Sequence, residues 1–250
     1  MRFEQDHFSG VAAQYARFRP RYPADLFAYL ASLISTPTLA WDCATGTGQA
    51  AIALAEYFPQ VIATDASAEQ ITHADPHSQV DYRVAPAEQS GLNSGSVDLI
   101  TVAQALHWFN LPAFYAEAKR VLRPAGVLAI WCYGHLEIPG DILQQIADTF
   151  YNETVGPYWP PERRIVEAGY RTLEFPFIEI ETPGFAIESL LTLTQLTGYL
   201  STWSATQRYV KATGQNPIPT LTEELEPHWG NPGTPRPIRW PLSLRVGLVP

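Results

Sequence analysis

The sequence predicts an α/β fold: a doubly wound, mostly parallel sheet with helices on both faces. Three observations carry that expectation. Short apolar runs alternate with helical patterns through the first 150 residues, and strands covered on both faces read as such runs. A glycine turn, Thr45-Gly46-Thr47-Gly48, joins the first strand to the helix after it. The chain has 250 residues, 46% hydrophobic and 16% charged, which is globular and not disordered. A chain of this size buries roughly 70–75% of its unfolded surface, enough for one sizeable core.

The elements follow in order. Pro23 opens a helix to about Leu33, with Leu26, Phe27 and Leu30 on one face. Residues 39–43 form a short buried strand that ends at the glycine turn. The next helix carries Ala51, Leu54, Ala55 and Phe58 at i, i+3, i+4 and i+7, and Pro59 stops it. Residues 61–64 form the second strand, ending in Asp65. Ser67 caps a helix whose third position is Gln70, a capping-box spacing. Residues 80–84 and 97–102 are the third and fourth strands. Asn110 caps a helix with Phe114, Ala118, Val121 and Leu122 on one face, closed by Pro124 and Gly126. Residues 127–131 are the fifth strand. Proline use then changes: residues 1–150 hold 9 of the 22 prolines, and residues 151–250 hold 13. The last hundred residues therefore read as shorter elements broken by turns, with residues 230–237 as a stiff loop.

Composition excludes several classes. The formal charge is −9, a poor match for nucleic acid or an anionic membrane surface, so neither partner is expected. Two cysteines, Cys43 and Cys132, sit within apolar strands and read as buried small hydrophobes, not as a disulfide framework. Cysteine and histidine do not recur at metal-ligand spacing, so no metal is expected. The first residues are polar and lack the apolar run of a signal peptide. No run reaches the roughly 18 apolar residues of a membrane helix. The expected location is cytoplasmic.

The glycine turn carries the chemistry. Ligands of doubly wound sheets bind at the carboxyl ends of the strands, where this turn lies. Asp65 stands 19 residues after Gly46, at the end of the second strand, where a carboxylate accepts from both hydroxyls of a ribose. Together they indicate a nucleoside-containing cofactor. Gly46-x-Gly48-x-x-Ala51 also satisfies the dinucleotide pattern of NAD enzymes. Asp42, four residues ahead of Gly46, argues against a pyrophosphate there and suits a cation, such as the amino group of S-adenosylmethionine.

These residues resemble a known family. Residues 41–49, Thr64-Asp65-Ala66-Ser67, Ala85-Pro86-Ala87-Glu88, Val97-Asp98-Leu99-Ile100 through His107-Trp108-Phe109, and residues 121–126 are similar to the successive motifs of class I S-adenosylmethionine-dependent methyltransferases. Residues 8–10, 15–23, 105–109 and Thr202-Trp203-Ser204-Ala205 resemble, more narrowly, the trans-aconitate methyltransferases. The resemblance implies a seven-stranded, Rossmann-like sheet with a C-terminal helical or irregular cap. It implies a single domain over 1–250, with a lid and helix over 1–35, a cofactor-binding core over 36–135, and a substrate-side cap with the last strands over 136–250. It assigns the cofactor to Asp42, Thr45, Gly46, Thr47, Gly48, Gln49, Asp65, Ala66, Gln70, Ala87, Glu88, Gln104 and Ala105. Many relatives have an acid where Pro86 stands, and that acid meets the adenine amino group. Here the contact passes to Glu88 or to the backbone around Ala87.

The acceptor side is expected to involve His107, Trp108, Arg17, Arg19 and Tyr22. His107 is a hydrogen-bond donor or base, or else a packed histidine between aromatics. Arg17, Arg19 and Arg21 are either a carboxylate clamp on a lid or a solvated charge run. The expected activity is methyl transfer to a small molecule, a carboxylate being favoured. An NAD-linked oxidoreductase and a cofactor-binding module without turnover are the alternatives.

Overall fold

The computed structural model describes residues 20–250. Arg17 and Arg19 lie outside the described residues. The elements are α1 (Ala24–Ser32), β1 (Leu39–Cys43), α2 (Gln49–Leu54), β2 (Gln60–Asp65), α3 (Ala68–Thr72), β3 (Val80–Val84), β4 (Val97–Ala103), α4 (Leu111–Val121) and β5 (Leu122–Tyr133). After these come α5 (Asp141–Thr149), α6 (Arg163–Glu167), β6 (Ile178–Ile180), β7 (Phe185–Leu191), α7 (Leu193–Ser201), α8 (Ser204–Thr213), α9 (Ile218–Trp229) and β8 (Arg236–Leu248).

The sheet runs β3-β2-β1-β4-β5-β8-β6. The first five strands are parallel, and β8 is antiparallel to both β5 and β6. These are the seven strands expected; β7 is an eighth that pairs β8 off this path. Strand order reverses between β1 and β4, and such a reversal opens a crevice at the carboxyl edge.

Alternation sorts the strand residues onto two faces. Trp41, Cys43, Ile62, Ile100, Val102, Leu128, Ile130 and Cys132 pack with Phe114, Ala118 and Val121 of α4. Ala40, Val61, Ala63, Leu99, Val127, Ala129 and Trp131 pack with Leu26, Phe27 and Leu30 of α1 and with Ala51 and Leu54 of α2. Each large side chain so buried stabilises the fold by about 1.5–3 kcal/mol. Neither cysteine is in a disulfide and both are buried, and burial pushes the Cys43 thiol well above its usual range.

Some elements depart from the sequence reading. Helix α2 ends at Leu54, and Phe58 reaches the core from the turn beyond. Asn110 stands at the N-cap of α4, but its side chain makes no cap bond. The strand after α4 starts at Leu122 and not at residue 127, because Val97 pairs Leu122 while Leu99 pairs Val127. The extra residues form a bulge with Ala125 at φ 61°, pinned by Arg123 on Asp98 at 2.6 Å. Residues 236 and 237 belong to β8 and not to the preceding loop. Pro237 and Pro241 are tolerated there because pairing with β5 begins only at Leu242.

The chain forms two compact units, each drawn from more than one stretch of sequence. One comprises Arg21–Gly134, Ile165–Ala186 and Pro241–Pro250 and holds the parallel strands. The other includes His135–Arg164 and Ile187–Trp240 and is largely helical, with α5, α7, α8 and α9. Its Trp203 ring lies within 6.3 Å of those of His135, Phe150, Tyr151, Trp159 and Tyr199. Among the described residues, no helix is long and apolar enough to cross a membrane.

Candidate functional site

The site is built where β1 and β2 end. β1 delivers Asp42, 1% exposed, whose carboxylate accepts from the Thr45 hydroxyl at 2.5 Å and the Thr101 hydroxyl at 2.7 Å. It also takes a backbone hydrogen bond from Ala51, in the first turn of α2. A carboxylate there satisfies an orphan helix donor and meets the positive end of the helix dipole. Burial pushes the Asp42 pKa up to about 6, against the lowering effect of these bonds. The structure thus places Asp42 at the centre of a knot joining β1, β4 and α2.

Ala44, Gly46 and Gly48 have φ of 57°, 58° and 90°. This left-handed path turns the backbone of residues 44–48 back on itself. Asp65 locks it from β2: its Oδ2 accepts from Gly46 N at 2.9 Å and its Oδ1 from Ser67 N at 2.9 Å. A carboxylate offers about four acceptor directions, and this one ties two loops together at the carboxyl end of β2. Ser67 caps α3 as the spacing indicated, accepting from Gln70 N. The Gln70 side chain reaches back over the turn, with Oε1 3.8 Å from where a Gly46 Cβ would stand. Ala66 is exposed, Thr47 O accepts from Asp75 N, and Gln49 opens α2. Val84 pairs with Asp65 in register and is 56% exposed, an apolar surface beside the carboxylate.

Gly48 also leaves room for a neighbouring side chain. A Cβ there would stand 2.2 Å from the Tyr82 hydroxyl and 2.9 Å from two ring carbons, and that hydroxyl donates to Asp75 O. Gly48→Ala should therefore destabilise the protein by displacing Tyr82, beyond the ~1–2 kcal/mol of left-handed strain. In a Tyr82→Ala background the same change should cost the strain alone. Urea denaturation of all four proteins measures this, and strictly additive costs would refute it.

At the far side of the crevice, Glu88 accepts from Asn110 N at 2.9 Å and so caps α4. Ala87 is buried in the core beside it. Gln104, at φ 57°, ends β4; its N–H and its side-chain amide donate to Trp131 O and Tyr133 O, both at 2.9 Å. That links the tips of β4 and β5. Ala105 is buried, and a 3-10 turn over Leu106–Trp108 follows. His107 and Trp108 rings lie 4.7 Å apart. Tyr22 packs edge-on against Trp131 at 5.4 Å, next to Tyr133, and Arg21 is exposed.

Three groups here have no clear signal in the sequence reading. Thr101 is visible as the lone hydroxyl in an apolar strand. Tyr82 is visible as an aromatic in the third strand, with nothing to say which way it faces. Tyr170, whose hydroxyl lies 3.0 Å from His107 Nδ1, comes from 63 residues away and leaves no local trace.

Comparison with known proteins adds four findings. The model of a methyltransferase domain matches residues 41–130. A Dictyostelium discoideum protein named as a methyltransferase is 39% identical over 223 residues, 88% of this chain and 85% of that one. A Saccharomyces cerevisiae protein named as an S-adenosylmethionine-dependent methyltransferase is 30% identical over 140 residues, 52% of this chain and 46% of that one. The solved structure of a protein from Anaeromyxobacter dehalogenans, named as a type II methyltransferase, has a TM-score of 0.89 and 42% identity, covering 93% of this chain and 99% of that one.

Proposed function

Because this chain belongs to the methyltransferase-domain family, as a class I S-adenosylmethionine-dependent enzyme, we propose that it methylates a small molecule on a carboxylate oxygen. When bound, S-adenosylmethionine supplies a methyl group on a sulfonium. The donor set fits that cofactor: Asp65 for ribose hydroxyls, the turn over residues 44–48 for close approach, and the apolar Val84 and Ala87 for the base. With Glu88 engaged at the start of α4, the backbone around Ala87 is left to read the adenine. The observation that carries the cofactor site is the Asp65 carboxylate fixed by Gly46 N–H and Ser67 N–H at 2.9 Å each.

The acceptor reading rests on charge and on nucleophile chemistry. Arg17, Arg19 and Arg21 form a dense basic cluster in a chain of net charge −9. A carboxylate, with a reference pKa near 4, is ionised at neutral pH and needs no base. The protein then has to align the acceptor and exclude water, which supplies roughly 7–11 kcal/mol. The narrower resemblance to trans-aconitate methyltransferases agrees with an acid acceptor.

The test is a panel of small carboxylic acids, phenols and amines, each incubated with S-adenosylmethionine. S-adenosylhomocysteine release gives turnover, and mass gives the product. Methyl esters from acids are the expected result. Turnover confined to phenols or amines would overturn the acceptor class, and no turnover with any of them would favour a binding module.

A further inference from the structure

One edge of the sheet is open, and its chemistry is self-complementary. β3 ends the strand order and, among the described residues, pairs with β2 alone. Two bonds fix which way its backbone groups point. Val61 N donates to Gln79 O at 2.8 Å, and Ala85 N donates to Asp65 O at 3.0 Å. Backbone groups alternate along a strand, so Asp81 and Arg83 turn theirs toward β2, while Val80, Tyr82 and Val84 turn theirs outward. The Val80 N–H is engaged locally, by His77 O at 3.1 Å. The N–H groups of Tyr82 and Val84 and the carbonyls of Val80, Tyr82 and Val84 line the edge. Side chains alternate as well. Val80, Tyr82 and Val84 share the face of Asp65, which pairs Val84 in register. Asp81 and Arg83 lie on the opposite face, bonded to each other at 2.6 Å and well exposed.

We propose that β3 pairs antiparallel with β3 of a second copy of this chain, about a twofold axis through Tyr82. In that register Tyr82 N–H donates to Tyr82 O of the other copy, and Val84 N–H donates to Val80 O, each in both directions. Asp81 then stands opposite Arg83 of the other copy, on both sides of the axis. Those are the positions of an antiparallel pair at which side chains come closest. The exposed Val84 meets Val80 on the other face. A bare edge is ordinarily blunted with charge, and charges of one sign would do that. Opposite charges placed symmetrically about Tyr82 do something else: they match an inverted copy of the same strand and repel a shifted one. The pairing does not depend on which acceptor is methylated.

So short an edge makes a small interface, and small interfaces are weak, so a Kd of about 10–100 µM is expected. Sedimentation equilibrium from about 5 µM to about 1 mM spans that range. Salt at about 0.15 M screens the net charge of the two copies beyond about 8 Å. Asp81→Arg and Arg83→Asp each set like charges opposite one another on both sides of the axis, and each should weaken the dimer by about 10-fold or more. The variant carrying both changes restores the pairs and should return to within about threefold of the wild type. Melting of dilute samples checks that the single variants stay folded, as loss of an exposed ion pair predicts. In the wild type, amide hydrogen exchange at Tyr82 and Val84 should slow as concentration rises. A wild-type protein that stays monomeric throughout overturns the proposal. So does a dimer indifferent to the single charge reversals, or one whose concentration-dependent protection falls on another segment.

Discussion

Replacing Asp65 by alanine is expected to weaken S-adenosylhomocysteine binding by about 10- to 150-fold, the worth of one hydrogen bond to a charged group. The loss is expected from two sources. One is the acceptor for the ribose hydroxyls. The other is the anchorage of the turn itself, since Gly46 N and Ser67 N both donate to this carboxylate. The variant should therefore also melt earlier, unlike a change that removed a ligand contact only. Asp65→Asn tests the division: its amide oxygen still accepts from one of the two N–H groups, so stability should recover more than affinity does. Calorimetry for affinity and thermal melting for stability are the two readouts. Unchanged affinity in Asp65→Ala would remove Asp65 from the cofactor site.

The largest loss of stability should come from Asp98→Ala, at about 3 kcal/mol, since each buried donor left without its charged acceptor costs about 1–3 kcal/mol. Asp98 is 2% exposed and accepts from Thr38 N, Thr38 Oγ1 and Leu39 N at 2.7–2.9 Å. It also holds Arg123 at 2.6 Å. Removing it leaves the entry to β1 without its acceptor and the β5 bulge without its anchor. Urea denaturation should show the midpoint fall with little change in slope. A loss below about 1 kcal/mol would show that water replaces the carboxylate at no great cost.

Local patterns in the sequence account for much of the first half of the fold. The strands at 39–43 and 80–84 have the bounds read from the sequence, and the Ser67 cap of α3 follows from spacing alone. Such features depend on neighbours in the chain. What the sequence hid depends on partners far away. Pro124 and Gly126 read as a helix stop, yet they sit in a bulge whose shape is set by Asp98 on another strand. Proline frequency suggested broken structure after residue 150, yet α7, α8 and α9 form there. Pro217 and Pro219 sit at the start of α9, where a missing N–H costs little. At the site, the acid and the glycines were legible as types. Their neighbours were not: Asp42 accepts from Thr45 and Thr101, a Cβ at Gly48 would meet Tyr82, and Tyr170 arrives from another segment altogether.

The position of β8 bears on how the chain is made. Among the described residues, the outer edge of β5 pairs with β8, with Tyr133 opposite Leu242 and Val127 opposite Leu248. About 110 residues are translated between those partners, which at 5–20 residues per second takes roughly 5 to 20 seconds. During that interval the row of N–H and C=O groups along β5 has no mate, and β6 has none either, since it too pairs β8. The segment at risk is Val127-Leu128-Ala129-Ile130-Trp131, apolar and without charge. An unpaired apolar edge is a template for another chain. The nascent protein is therefore prone to aggregate at this edge, and holdase chaperones acting on the ribosome should protect that strand.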